Sequence, residues 1–304
     1  MFASLFHRFH RPAWRIAALC GVVLLQGCRL ALFDPKGDIG VQERRLILVS
    51  LGLMLLVVVP VIGLTLYFFW RYRATNTKAR YAPEWSHSTG IEIVVWTIPC
   101  VIVAVLAVLI WKSTHALDPY KALAAQRPPL KVDVVALNWK WLFIYPDYGV
   151  ATVNELVVPA RTPIEFHLTA DSLMNSFFIP RLGSQVYAMA GMETRLHLVA
   201  DDVGTFAGRS SAYSGPGFSG MRFDTFAVSD ADFADWIGRT RRSSPALTMD
   251  GYHALTAPSE HEPPRKFGSV DAGLFERVVD QYMPAPPRGD VCGQAFSLMP
   301  SAKD

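Results

Sequence analysis

The sequence has 304 residues, an apolar fraction of 51% and a mean hydropathy of +0.23, which are high values for a soluble protein. Lys and Arg (29) barely outnumber Asp and Glu (26), which excludes a nucleic-acid-binding protein that depends on bulk positive charge. The four cysteines lie far apart, which excludes a CxxC dithiol and a zinc knuckle. We therefore expect a membrane-associated chain.

A lipoprotein signal peptide over residues 1–27 is the first predicted element. Basic residues precede an apolar run that ends in Leu-Gln-Gly-Cys, which is the order found in secretory signals. The ending resembles a bacterial lipobox, so we expect cleavage before Cys28 and acylation of that cysteine, for example with palmitate. Residues 28–45 would then form a lipidated periplasmic N-terminus. An uncleaved apolar segment with an incidental cysteine is the alternative.

Two longer apolar segments follow, at residues 46–70 and 93–111. As helices they would span about 37 Å and about 28 Å, enough to cross a hydrocarbon core of about 30 Å. The loop between them, residues 71–92, is the most basic of the flanking segments, which places it in the cytoplasm. We therefore expect a bacterial inner-membrane protein with two spans and a periplasmic C-terminal part.

The exported part begins at residue 112 and changes in pattern after Lys131. Short β-rich runs with alternating apolar and polar residues predict an antiparallel Greek-key sandwich or barrel of about seven to nine strands, ending at residue 228. Residues 229–283 contain two amphipathic helical patterns and are predicted to form a C-terminal arm. For residues 284–304 we expect disorder.

Few residues of the exported part suggest catalysis. His167 and His197 lie inside strand runs and are expected to be packed or surface side chains, and Cys292 lies in the tail. A blue-copper set of two histidines and one cysteine is therefore excluded. The segment at residues 217–221 approaches G-x-S-x-G, but its second glycine comes one position early for a nucleophile elbow. We predict no catalytic and no cofactor-binding residue in this chain.

Several long runs are similar to one family, subunit II of the haem-copper respiratory oxidases. These runs are LFDPKGDIG, WSHSTGIEIVVWTIP, NWKWLFIYPDYG, SLMNSFFIPRLGSQVYAMAGMETRLHL and SAYSGPGFSGMRF. The likeness extends from residue 25 to about residue 283 and is strongest to the quinol-oxidising branch of the cytochrome bo type. It implies a membrane-anchored all-β protein, in which a two-helix transmembrane hairpin precedes a cupredoxin-like Greek-key β-sandwich and a helical arm.

Family members that oxidise cytochrome c hold a dinuclear copper centre through one upstream histidine and the motif C-x-E-x-C-x-x-x-H-x-x-M. By this resemblance the six ligand positions fall on Asn175, Ser210, Ala212, Ser214, Phe218 and Met221. Met221 alone keeps a donor suited to copper, and a lone thioether does not retain the metal. We therefore predict no metal site here and a core position for Met221. The resemblance implies haem and copper in a partner, subunit I.

The resemblance also suggests roles for three other residues. Glu92, at the cytoplasmic start of the second helix, would stand at the entrance of a proton pathway into subunit I. The structural alternative is a carboxylate stabilised by the dipole of its own helix. Trp139 and Trp141 lie in a stretch that carries electrons inward in copper-bearing relatives, and without the metal we expect them to pack between sandwich and membrane.

The function implied is that of a non-catalytic subunit of a proton-pumping terminal ubiquinol oxidase, which reduces oxygen to water. Implied partners are the haem-copper subunit I, other small membrane subunits, ubiquinol through the complex, and the lipid membrane, with no nucleic acid. Two alternatives stay open at this point. One is a copper-bearing subunit II of a cytochrome c oxidase, and the other is a membrane lipoprotein without an oxidase partner.

Overall fold

The computed structural model describes residues 31–79, 82–123 and 127–283, which form two compact units. The first unit comprises the described residues up to Ile110 together with Pro180–Gly183, and the second comprises the other residues from Trp111 onward. The predicted signal peptide, Cys28 and the tail after residue 283 lie outside the described residues.

Two long helices dominate the N-terminal part, α1 (Asp38–Arg71) and α2 (Thr89–Ala116), after a short 3-10 helix at Ala31–Phe33. Both are long and apolar enough to cross a membrane. Each extends beyond the apolar run that predicts it, because polar residues at either end can continue a helix outside the hydrocarbon layer. Most of their apolar side chains are exposed, as suits helices that face lipid or other helices.

The second unit is mostly β-structure followed by a helical arm. Its strands are β1 (Leu130–Leu137), β2 (Lys140–Tyr145), β3 (Val150–Val153), β4 (Glu155–Pro159), β5 (Ile164–Ala170), β6 (Asn175–Ile179), β7 (Gly183–Ala188), β8 (Thr194–Leu198), β9 (Gly204–Ser210), β10 (Arg222–Val228), β11 (Ala246–Leu247), β12 (Arg265–Phe267) and β13 (Ser269–Val270). The arm adds α3 (Asp230–Ser243), α4 (Met249–Thr256) and α5 (Leu274–Asp280). The predicted order of two apolar helices, a β-sandwich and a helical arm is confirmed.

Two sheets make the sandwich. The first has the strand order β12-β3-β2-β1-β5-β8 and the second the order β4-β10-β9-β6-β7. The expectation of a purely antiparallel sandwich is wrong, because β1 pairs with β5 and β4 pairs with β10 in parallel. Alternation along a strand reports which residues face the core. It carries no information about the direction of a partner strand distant in the sequence.

Aromatic rings from both sheets fill the space between them. Trp141 and Phe143 of β2 face Phe177 of β6 and Phe223 of β10, with ring centroids 5.1 to 6.3 Å apart. Phe177 and Phe223 stack on each other at 5.1 Å. All four rings are buried, so they remove a large apolar area from water and hold the two sheets together.

One predicted strand, ATVNELVVP, is divided into β3 and β4 by Asn154. This residue has a φ of 54°, in the left-handed region that asparagine tolerates better than most residues. Its Oδ1 accepts a hydrogen bond from the Trp141 amide at 2.8 Å, and its Nδ2 donates to the Glu262 carbonyl at 2.8 Å. The break sends β3 into the first sheet and β4 into the second.

The C-terminal arm packs on the face of the first sheet that points away from the sandwich core. Buried apolar side chains of α4 and α5 contact Val135, Leu142, Ile144 and Val153 of that sheet. Strand β12 extends the sheet by pairing with β3, and β11 pairs with β13. Helices α3 and α5 match the two predicted patterns, whereas α4 and the short strands β11, β12 and β13 were not predicted.

Candidate functional site

The six positions related to copper ligands gather at one end of the second sheet. They occupy the start of β6, the end of β9 and the loop leading to β10, in the order Asn175, Ser210, Ala212, Ser214, Phe218 and Met221. The predicted core position of Met221 is confirmed, since only 1% of it is exposed. Asn175, Ser210 and Ser214 are also buried.

Hydrogen bonds among the protein's own groups occupy the side chains of Asn175 and Ser210, whereas the buried Ser214 hydroxyl has no hydrogen-bond partner among the described residues. The Ser210 hydroxyl lies 3.1 Å from Asn175 Oδ1 and 3.2 Å from the Ala212 carbonyl, either of which can accept its proton. The same hydroxyl accepts from the Ser176 amide at 3.4 Å. The Asn175 side-chain amide donates to the Leu173 carbonyl at 3.0 Å. Asn175 and Ser210 therefore form a closed hydrogen-bonded network with neighbouring backbone groups, and Ser214 stands outside it.

The residues at these positions do not fit a copper centre. Hydroxyl, amide and phenyl groups stand at the positions of the motif's thiolates and imidazoles, a methyl group stands at its glutamate position, and Met221 supplies one weak thioether. Among the residues that the structure describes, no group of three or more His, Cys, Asp or Glu side chains could hold a metal ion. What the arrangement can do chemically is to tie β6, β9 and the following loop together.

The expectation that Trp139 and Trp141 pack between sandwich and membrane is wrong for Trp141. The Trp141 ring is fully buried inside the sandwich, against Phe177 and Phe223. Trp139 lies in the turn before β2 with a φ of 65°, and its Nε1 donates to the Ser214 carbonyl at 2.8 Å. Its ring lies so close to Gly217 that a Cβ there would come within 2.4 Å of it. Trp139 thus supports the loop that follows β9.

Sequence reasoning missed a row of acidic and histidine side chains across β5 and β8. His167 Nδ1 lies 2.9 Å from Glu193 Oε1, and His167 Nε2 lies 3.3 Å from Glu165 Oε1. His197 is paired with Glu165 across the strands, with its Nδ1 3.0 Å from the Pro119 carbonyl. Both histidines are packed, as predicted, and their carboxylate partners are Glu165 of β5 and Glu193 of the loop before β8. The sequence signal that could have revealed this row is the polar residue at every second position of β5 and β8.

Asp133 lies beside this row, on β1, opposite His167 of β5. It lines a cavity of about 480 Å³ with Glu193, Glu276 and Phe275. Burial raises the pKa of Asp133 to about 6, and the nearby His167 partly opposes that rise. The carboxyl therefore changes charge near pH 6, about two units above its usual range.

Lys140 anchors the arm to the sandwich. This side chain is 2% exposed, and its Nζ donates to the carbonyls of Leu255 at 2.9 Å and Ala257 at 2.8 Å, at the C-terminal end of α4. A cation is favoured at that end of a helix, where the last carbonyls have no partner within the helix. Burial lowers the pKa of Lys140.

The structure does not bring the remaining predicted residues into this network. Glu92 belongs to the first unit, where it lies exposed in the first turn of α2 and its amide donates to the Ser88 carbonyl at 3.0 Å. Cys28 lies outside the described residues.

Two family models match the second unit. The family described as "Cytochrome C oxidase subunit II, periplasmic domain" matches residues 149–228, which include β3 to β10. The family described as "COX Aromatic Rich Motif" matches residues 241–285, which include most of the arm.

Full-length relatives match most of the chain. "Cytochrome bo(3) ubiquinol oxidase subunit 2" of Pseudomonas aeruginosa is 50% identical over 278 residues, covering 91% of this chain and 83% of that protein. "Ubiquinol oxidase subunit 2" of Acetobacter aceti is 50% identical over 270 residues, covering 88% of each. A solved structure, the periplasmic domain of subunit II of cytochrome oxidase of Bradyrhizobium japonicum, matches with a TM-score of 0.37 and 24% identity, covering 39% of this chain and 95% of that one.

Proposed function

We propose that this chain, which belongs to the subunit 2 family of the bo(3)-type ubiquinol oxidases, serves its complex without a redox centre of its own. Family membership makes it a subunit of a terminal oxidase, with other oxidase subunits as partners. In this proposal haem and copper of subunit I oxidise ubiquinol, reduce oxygen to water and drive proton pumping. The present chain contributes assembly and a folded cap over subunit I.

The closed network at the end of the second sheet carries this proposal. The Ser210 hydroxyl donates a hydrogen bond to Asn175 Oδ1. These two residues occupy positions at which copper-bearing relatives have strong ligands, and here they are hydrogen-bond partners. Satisfied buried polar groups stabilise a fold, whereas a metal at this place would have to break these bonds to reach weaker donors. The observation favours a structural use of the site.

Metal counting on the intact complex tests the proposal. Met221→Leu removes the one soft donor with little change in volume, so we expect the copper-to-haem ratio of the purified oxidase to stay unchanged. Met192→Leu, at an exposed methionine, is the matched control. A lower copper-to-haem ratio in the Met221 variant than in the control would show that this chain holds copper.

We place α1 and α2 as two membrane spans joined by a cytoplasmic loop. Their apolar length and exposure support the spans, and Arg71, Arg73 and Lys78 at the loop support its cytoplasmic side. The signal-like segment that ends with Leu-Gln-Gly-Cys at Cys28 supports a lipid-anchored periplasmic N-terminus. Mass spectrometry of the purified chain should find an acylated Cys28 as first residue, and a chain that retains Met1 would contradict the anchor.

Glu92 is proposed as an entry point for protons taken up by the complex. The carboxylate is exposed in the first turn of α2, next to a segment without charged residues that continues to Trp111. Ionisable groups at such positions are often part of a proton path. Glu92→Gln should slow proton uptake during turnover, whereas Glu84→Gln, an exposed carboxylate of the preceding loop, should not. Equal uptake rates in both variants would refute this role.

A further inference from the structure

A pocket of about 420 Å³ opens next to the closed network, on the exposed side of β9 and β10. Two arginines, Arg209 and Arg222, line it together with Ser211, Ser219 and Phe178, and its wall also includes Ser210, Phe218 and Met221 from the six positions described above. Of these eight residues, Ser210 takes part in the network around Asn175.

The two arginines stand directly opposite each other, as cross-strand partners of β9 and β10. Side chains in this relation have Cβ atoms about 4.5–5.5 Å apart, so two positive charges there repel each other and destabilise the strand pair. Within the described part of the chain, neither guanidinium forms an ion pair with a carboxylate. Asp224 lies two residues from Arg222 on the same exposed face of β10, so its carboxylate offsets part of the repulsion without forming a direct ion pair.

The pocket offers many hydrogen-bond donors. Arg222 uses its Nε to donate to the Ser219 carbonyl at 3.1 Å, which holds its guanidinium in place and leaves its other N–H groups available. The described residues supply no hydrogen bond to the Arg209 guanidinium or to the hydroxyls of Ser211 and Ser219. A surface rich in donors and positive charge, without carboxylates, is complementary to an oxyanion.

We propose that this pocket binds a phosphate-type oxyanion, either free phosphate or the phosphate group of a phospholipid. A carboxylate has two oxygens and pairs with the N–H groups of a single guanidinium. A tetrahedral phosphate presents oxygens to both guanidinium groups and to the serine hydroxyls at once. The bound anion neutralises the repulsion between Arg209 and Arg222.

Calorimetric titration of the intact complex with inorganic phosphate tests the proposal, in chloride buffer at constant ionic strength. We expect saturable binding to the parent and a dissociation constant that rises about tenfold or more in Arg209→Gln/Arg222→Gln, because charge-assisted hydrogen bonds are lost. The control, Arg239→Gln/Arg242→Gln, removes the same charge from exposed positions of α3 and should bind like the parent. Equal binding by all three proteins, or no saturable binding to the parent, would overturn the proposal.

Thermal unfolding separates an anion site from a purely structural role of the arginines. We expect phosphate to raise the Tm of the parent but not of the double variant, and the variant to be at least as stable as the parent in chloride alone. A double variant that is less stable than the parent by the same amount in phosphate and in chloride would refute the anion site. Competition with phosphatidylglycerol in the detergent micelle identifies the source. Displacement of inorganic phosphate by the lipid assigns the pocket to a headgroup, and absence of displacement assigns it to free phosphate.

Discussion

Replacing Asp133 by asparagine removes a carboxylate from the cavity between β1 and α5. In the folded protein Glu276 and Glu193 lie near this group and disfavour its charge, whereas His167 and Lys131 favour it. Burial is the larger effect and raises the pKa of Asp133 from its usual 3.8 to about 6. The uncharged amide of asparagine avoids most of the cost of burying a charge.

The sign follows from proton linkage. Between pH 3.8 and about pH 6 the folded state holds the proton more tightly than the unfolded state. The stability that Asp133 contributes is therefore complete below pH 3.8 and is lost as the pH rises through about 6. The difference between these two pKa values corresponds to a free energy of about 3 kcal/mol. Solvent screening reduces this figure, because Asp133 is partly exposed. We therefore expect Asp133→Asn to stabilise the protein by about 1–3 kcal/mol at pH 7.5.

Urea unfolding of the full-length chain in a nonionic detergent measures this effect, with tryptophan fluorescence as the signal. The variant should be more stable than the parent at pH 7.5, and the difference should shrink as the pH approaches 4. Asp147→Asn is the matched control, because Asp147 lines the same cavity but is exposed, and it should change stability by less than about 0.5 kcal/mol. A destabilised Asp133 variant at pH 7.5, or a difference independent of pH, would refute the reasoning.

Three other substitutions test the hydrogen-bonded network, the anchor of the arm at Lys140 and the contact between Gly217 and Trp139. Asn175→Ala leaves the buried Ser210 hydroxyl without one of its acceptors and should cost about 1–3 kcal/mol in urea unfolding. Lys140→Met removes the donor from two carbonyls at the end of α4, so limited proteolysis should cut the arm about tenfold faster or more. Gly217→Ala places a Cβ 2.4 Å from the Trp139 ring and should cost about 1–3 kcal/mol, with an altered near-ultraviolet circular dichroism spectrum.

Two controls accompany these variants. Lys121→Met changes an exposed lysine of the segment before β1, and Gly52→Ala adds a methyl group in the middle of α1, where no atom lies within 4 Å of the new Cβ. Both should leave the unfolding of the second unit and the proteolysis of the arm unchanged. Effects of the three test substitutions that are no larger than those of the controls would contradict the roles given to the network, Lys140 and Gly217.

Much of the architecture could be predicted because it depends on local composition. A charge-free run of sufficient length predicts a membrane-crossing helix wherever it occurs, and alternation predicts half-buried strands. The prediction that Ser210, Ala212 and Ser214 stand where copper-bearing relatives have donors likewise rests on side chains alone, so a resemblance in sequence was enough to make it. The burial of Met221 followed from the same comparison.

The parallel pairing of β1 with β5 could not be read from the sequence, and neither could the groups that it brings together. Asp133 meets His167, and Glu165 meets His197, only because three strands distant in the chain adopt one register. A shift of one residue would turn each of these side chains to the opposite face of the sheet. Their pKa values and contacts are therefore properties of the assembled sheet.

Trp139 and Trp141 also show which features the sequence determines and which the tertiary structure determines. The sequence establishes that both are large aromatic side chains in one β-rich run, and in a continuous strand residues two apart share a face. The left-handed φ of Trp139 ends that alternation, so its ring supports the loop at Gly217 while Trp141 enters the core. The backbone conformation of the short turn between β1 and β2 decided which way each ring points, and Gly217, which lies far away in the chain, makes room for the Trp139 ring only in the folded structure.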